Sequence, residues 1–233
     1  KAVVDAKKGK IFTKLIREIT VAARTGGGDA NSNPRLRKAI DDALNVNMTK
    51  DTVQRAIQRG IGASEGADLE EIMYEGYGAS GVAVIVVCMT DNRNRTVSQV
   101  RHAFTKCGGN LGTDGSVAYL FKKQGVLSYA PGADENRIME VALEVGVDDV
   151  ISDSDGSVTV LTGVENYHEV MAAMEKAGLK ADHAELTMLA STHVEIDDKE
   201  VAEKVTRLLD MLEELDDVQD VYSNAEIADG LLE

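Results

Sequence analysis

Apolar residues recur at helical spacing from the start of the chain. Phe12, Leu15, Ile16, Ile19 and Ala23 fall on one stripe and predict a helix over residues 2–25. Lys7, Lys10, Lys14, Arg17 and Arg24 follow the same period and make a cationic stripe on a different face. Gly26-Gly27-Gly28 stops that helix. Asn33-Pro34 opens the next, with Asn as cap and Pro at the first helical position. Leu36, Ala39, Ile40 and Ala43 give its buried face, and Arg35, Arg37 and Lys38 crowd its first turns. Thr49 caps a third helix, Met48 and Val53 are spaced as a hydrophobic staple, Arg55 and Arg59 lie one turn apart, and Gly60 ends it. Three short amphipathic helices make a bundle.

A Gly/Ala/Ser/Glu stretch from Gly60 to Ala67 reads as a linker, and the pattern then changes. Val82–Met89 is a predicted strand. Thr96 and Gln99 suit a capping box for a helix through Lys106, Gly108-Gly109 ends it, and Val117–Phe121 is the next strand. Much later come a strand at His193–Ile196, a helix over Asp197–Leu215 and a strand at Val218–Tyr222. The region between has its own series: strand Val126–Tyr129, helix Asp134–Val145, strands near Val150 and at Val158–Leu161, helix Asn166–Ala177 and strand Glu185–Leu189. The expected fold class is α+β: an N-terminal helical bundle and two ferredoxin-like α/β domains, one inserted in the other. The expected boundaries are 1–66 for the basic helical domain, 67–122 with 191–233 for a split middle domain, and 123–190 for the inserted one.

Charge sharpens this picture. Residues 1–60 hold 13 Lys/Arg against 6 Asp/Glu, a net +7, while the other 173 residues hold 12 against 34. A basic head on an acidic body points to a polyanion partner for the head, because Lys and Arg displace counterions condensed on phosphates. A second basic island lies at 91–123. There Asp91-Asn92-Arg93-Asn94-Arg95-Thr96 joins a strand end to a helix start, and Arg101, Lys106, Lys122 and Lys123 follow. Two alternatives stand beside the phosphate reading. The head cations could only solvate a bundle, and Arg93 and Arg95 could pair with carboxylates across a domain seam.

Other chemistry finds little support. Four His lack metal-pair spacing, and Cys88 and Cys107 form no CxxC. They read as free thiols of a reducing compartment. His102 and Cys107 do not share a helix face. Asp148, Asp149, Asp153 and Asp155 are acidic enough for Ca²⁺, but Asp153-Ser154-Asp155-Gly156 reads more simply as a hairpin turn. Gly26-Gly27-Gly28 lacks the Lys-Ser/Thr of a P-loop. Tyr74-Glu75-Gly76-Tyr77-Gly78 precedes a strand instead of following one, so its glycines suit a tight backbone approach. The longest apolar run fits a buried strand and not a membrane span. Aromatic residues make up only 4%, which argues against a base-stacking platform. No catalytic residue, metal or cofactor is expected.

Several segments carry a resemblance. Gly9-Lys10-Ile11-Phe12-Thr13-Lys14-Leu15-Ile16-Arg17-Glu18-Ile19, Asn33-Pro34-Arg35-Leu36-Arg37, Tyr74-Glu75-Gly76-Tyr77-Gly78, Thr90-Asp91-Asn92-Arg93-Asn94-Arg95-Thr96-Val97 and Gly108-Gly109-Asn110-Leu111-Gly112 resemble the YebC/PmpR family over essentially the whole chain. The resemblance implies a helical N-terminal domain, two α/β domains, and a non-enzymatic cytoplasmic regulator of gene expression. Bacterial members are described as DNA-binding transcriptional regulators and have been tied to the ribosome; mitochondrial relatives are translational activators. Members usually begin with a short basic, Trp-containing segment that this sequence does not show, so truncation or disorder is expected there and part of the binding surface is unread. Thr49 stands where members often have Pro, and Cys107 where they often have His, which weakens any chemistry at position 107.

The expected nucleic-acid contacts are therefore Lys7, Lys10, Lys14, Arg17, Arg24, Arg35, Arg37, Lys38, Arg55, Arg59, Arg93, Arg95 and Arg101. The expected partner is DNA, or alternatively rRNA in the ribosome, with the acidic body free to meet a protein and no membrane involved. No helix-turn-helix with a polar recognition face is apparent. A small-ligand sensor at the domain seams is the rival from another class.

Overall fold

Helix capping sets the first elements. The structure, a computed structural model, describes residues 2–62 and 69–232, with side chains described from Gly9 onward. Most of the linker read at Gly60–Ala67 lies outside the described residues. The chain divides into two compact units, Lys1–Ala118 with Thr192–Glu233, and Tyr119–Ser191.

In the first unit, α1 (Ala2–Gly26), α2 (Pro34–Asn45) and α3 (Lys50–Ile61) form the bundle. The Asn33 side chain accepts from Leu36 N, and its amide donates to Ala22 O and Gly27 O, so one residue caps α2 and ties it to α1. Thr49 caps α3 by accepting from Thr52 N. Ile19, Leu36, Ala43, Met48 and Val53 are among the buried residues between the helices. Gly60 does not end α3, which continues to Ile61. Its role is close approach: a Cβ there would sit 2.3 Å from Thr20 O of α1.

The sheet begins with β1 (Glu70–Tyr77), antiparallel to β2 (Ala83–Thr90) in register Glu70↔Thr90 to Tyr77↔Ala83. No strand is expected at β1 from sequence, because its apolar residues are broken up by glutamates. Next comes α4 (Arg93–Lys106), capped by Asn92, whose side chain accepts from Arg95 N. The capping box expected at Thr96 is thus four residues late. Thr96 is buried inside the helix and donates to Asp217. Short β3 (Asn110–Leu111) pairs with Gly76 and Tyr77. Here glycine is required twice: a Cβ on Gly109 would lie 2.2 Å from Tyr77 O, and one on Gly76 would lie 2.7 Å from the Phe104 ring.

The second unit follows. The strand expected at Val117–Phe121 is instead a 3₁₀ turn at Ala118–Leu120 running into β4 (Phe121–Tyr129). Then come α5 (Glu135–Val145), β5 (Asp149–Ser152), β6 (Val158–Thr162), α6 (Tyr167–Lys176) and β7 (His183–Ala190). Asp153–Gly156 turns between β5 and β6, with Gly156 at φ 90°. The antiparallel order β5-β6-β4-β7 is ferredoxin-like. Leu127, Ile138, Val160, Val170 and Met174 are in its core.

The chain then returns to the first unit with β8 (Val194–Ile196), α7 (Lys199–Glu214), β9 (Val218–Ser223) and β10 (Ala225–Ile227). β9 completes the antiparallel sheet β3-β1-β2-β9. β8 leaves it to pair in parallel with β10. Val84, Val86, Val100, Phe104, Val205, Leu208 and Leu212 are fully buried where α4 and α7 cover one face of this sheet. A helical bundle and two α/β assemblies built on antiparallel sheets agree with the expected fold class.

Candidate nucleic-acid interface

Most cations of the basic head contact the protein itself. A helix leaves its last carbonyls without intrahelical partners, and that end attracts positive charge. The end of α7 is answered by α1. Lys10 Nζ donates to Glu214 O at 3.1 Å and Lys14 Nζ donates to Glu213 O. Arg17 donates to Asp216 O at 2.7 Å, Met89 O at 3.2 Å and Asp217 Oδ1 at 3.3 Å. Gln219 returns a bond to Lys14 O. Burial pushes the Lys14 ammonium below its ordinary pKa, against the opposing charges of Glu213 and Asp220. From sequence this stripe is expected to face phosphate. Three of its described members instead dock α1 onto α7.

Asp217 sits at the centre of that contact. Its side chain is 3% exposed. It accepts from Arg95 Nε at 3.0 Å, a second Arg95 nitrogen at 2.8 Å and Thr96 Oγ1 at 2.8 Å, besides Arg17. Burial alone would raise its pKa; the bonds from Arg95 and Thr96 and the charges of Arg95 and Arg17 hold it below the usual carboxylate value. Arg95 also reaches Asp91. Arg93 pairs with Glu70 at 3.5 Å. The carboxylate-pairing alternative therefore describes both arginines, with every partner inside the first unit.

The remaining head cations follow suit until α3. Arg24 donates to Leu69 O, Arg37 to Ala30 O and Asn31 O, and Arg35 pairs with Glu18 and Glu71. Lys38 pairs with Asp42. Lys7 lies outside the described side chains. On α3, Lys50, Arg55 and Arg59 are exposed and form no ion pair among the described residues; Arg55 bonds only Asp51 O, one turn back. Gln54 and Gln58 are exposed on the same outward side, which faces away from buried Val53, Ala56, Ile57 and Gly60. Four residues join α2 to α3, and Asn47 among them takes φ 64°. Arg55 and Arg59 are among the contacts expected from sequence; Lys50, Gln54 and Gln58 are not. The i, i+4 repeat of Gln54/Gln58 beside Arg55/Arg59 was the available signal.

A second outward surface lies on α4. Asn94, Ser98, Arg101, His102, Thr105 and Lys106 are exposed, and the helix contains no Asp or Glu. Arg101 and Lys106 form no ion pair among the described residues. In the second unit, Lys122 and Lys123 are exposed on β4.

Chemistry of other kinds has few candidates. Among the described residues no group of three or more His, Cys, Asp or Glu is placed to hold a metal ion, and no helix is long and apolar enough to cross a membrane. Cys88 and Cys107 are both buried, and burial, reinforced by Asp217, pushes the Cys88 thiol up to about 12.

Comparison with known proteins places the chain among relatives. A family model described as the TACO1/YebC protein N-terminal domain matches residues 1–63, and one described as the TACO1/YebC second and third domain matches residues 69–225. A "probable transcriptional regulatory protein" of Pseudomonas savastanoi is 62% identical over 98% of this chain and 92% of its own length. A namesake from Shewanella oneidensis is 62% identical over 100% of this chain and 94% of its own length. The crystal structure of a conserved hypothetical protein from Aquifex aeolicus superposes with a TM-score of 0.84 at 48% identity, covering 100% of this chain and 96% of that one.

Proposed function

The chain belongs to the TACO1/YebC family, and from that premise we propose that it is a non-enzymatic, nucleic-acid-binding regulator of gene expression whose principal contact surface is the outward face of α3. One observation carries the reading. Of the head cations with described side chains, those on α1 and α2 donate to groups on other turns or elements of the protein or pair with its carboxylates, whereas Lys50, Arg55 and Arg59 form no ion pair among the described residues and Arg55 bonds only Asp51 O within its own helix. Phosphate contacts from these three position the protein, and Gln54 and Gln58 between them are residue types that bond base edges. Arg101 and Lys106 on the acid-free face of α4 add to the field. The relatives' shared description as probable transcriptional regulators favours duplex DNA as the target. Two buried free thiols fit a reducing compartment such as the cytoplasm.

A second reading, rRNA in the ribosome, is favoured by the net charge of −15. An acidic body repels long duplexes but tolerates a site where phosphate and protein surfaces alternate. Binding of a 20-base-pair duplex and of an RNA hairpin, each titrated with salt, tests both. Arg55→Gln/Arg59→Gln weakens the physiological polymer and flattens its salt slope by about 1.8 for duplex DNA or about 1.4 for single strands. An unchanged slope on both polymers refutes α3 as the interface.

A further inference from the structure

A free strand edge opens onto an acidic cavity beside the first sheet. β1 has β2 along one edge, but β3 covers only Gly76 and Tyr77 of the other. In an antiparallel strand, the N–H and C=O of one residue point to the same edge, and successive residues alternate. Glu75 O accepts from Gly112 N on the β3 side, while Gly78 N donates to Val82 O on the β2 side. Glu71 and Met73 therefore send their backbone groups the same way as Glu75. Among the described residues nothing bonds them there. A cavity of about 740 Å³ lies along this stretch, lined by Glu70 to Glu75, Arg93, Asp114, Gly115 and Ala118. Met73 is 41% exposed in it.

The lining fixes the kind of occupant. It carries Glu70, Glu71, Glu75 and Asp114 against Arg93, which pairs with Glu70, while Arg35 of α2 pairs with Glu71, so the carboxylates still outnumber the cations. Glu75 stays anionic: burial opposes its charge, but the Gly115, Val117 and Ala118 amides hold its pKa below the ordinary value. A nucleic acid is repelled by this lining, and a second copy would set two acidic edges against each other. We propose that the β1 edge takes an extended basic segment of a partner protein as an added strand, its backbone bonding Glu71 and Met73 and its Lys or Arg residues meeting Glu70 and Asp114. Main-chain bonds supply affinity in such complexes, and alternate side chains supply selectivity. This surface is separate from α3, so it stands or falls independently of the nucleic-acid reading.

The probe is the capped hexapeptide Lys-Val-Lys-Val-Lys-Val with two versions N-methylated on alternate amides, titrated into the intact chain at 0.15 M salt. Methylation keeps the charge and removes the donors. The unmodified peptide is expected to slow hydrogen exchange at the Glu71 and Met73 amides, and one methylated version is expected to bind at least about tenfold more weakly. Glu70→Lys/Asp114→Lys, on exposed side chains, is expected to weaken the unmodified peptide by a similar factor. Absence of binding, equal affinity for all three peptides, or unprotected Glu71 and Met73 amides overturns the proposal.

Discussion

Replacing Asp217 by Asn tests the joint between α1, α4 and α7. The change keeps the size of the side chain and removes its charge. The wild-type carboxylate is 3% exposed and accepts from two arginines and Thr96. A hydrogen bond to a charged group contributes roughly 1.5–3 kcal/mol, and removing one partner of a buried ion pair costs about 3–5 kcal/mol. Arg17 and Arg95 remain 21% and 41% exposed, so water recovers part of that loss. The expected cost is about 2–3 kcal/mol at pH 7, a Tm drop of roughly 5–10 °C for a unit of this size. The dependence on pH has a definite sign. A carboxylate whose pKa is depressed in the fold contributes stability above its unfolded value of about 3.9 and loses it as pH falls through the lower folded value. Thermal melts of wild type and variant from pH 2.5 to 8 should therefore run apart by a constant gap above about pH 5 and converge below about pH 4. A gap under about 1 °C at pH 7, or one that does not narrow between pH 5 and pH 2.5, refutes this view of Asp217.

Three further outcomes follow from the geometry. Glu75→Gln leaves three loop amides facing a weaker acceptor, so exchange at Gly115, Val117 and Ala118 should quicken and stability should fall by about 1–3 kcal/mol above pH 5, with no difference once both forms are uncharged in strong acid. Gly109→Ala places a methyl 2.2 Å from Tyr77 O and should lower Tm by several degrees, whereas Gly9→Ala meets nothing within 4 Å and should raise helix stability by up to about 1 kcal/mol. Native protein at pH 8 should resist a thiol reagent at both buried cysteines, and two thiols should appear on unfolding; fast native labelling of Cys88 would contradict its burial.

Local signals were legible where local chemistry decided the outcome. Asn33 and Thr49 stand out as caps because a short polar side chain precedes an amphipathic run, and both bond as that pattern requires. The apolar run of β2 and the heptad-like leucines of α7 were equally plain. The glutamates of β1 hid a strand, because Glu75 is satisfied by amides about 40 residues away and no window of sequence contains that bond. The cationic stripe of α1 was legible as a stripe, but not its direction. Its acceptors are mainly backbone carbonyls of Glu213, Glu214 and Asp216, about 200 positions along the chain, and a carbonyl leaves no mark on residue type. Thr96 misled for the opposite reason: a good local cap signal lost to Asn92, and the hydroxyl was recruited by Asp217.

Two double variants that remove the same charge separate docking cations from nucleic-acid contacts in a single salt titration. Lys10→Gln/Lys14→Gln strips the α1 contact with α7, and Arg55→Gln/Arg59→Gln strips the outward face of α3. The account predicts a lower Tm with an unchanged salt slope for the first, and an unchanged Tm with a slope reduced by about 1.8 on duplex DNA for the second. The reverse pattern, with α1 carrying the slope and α3 the stability, would contradict it.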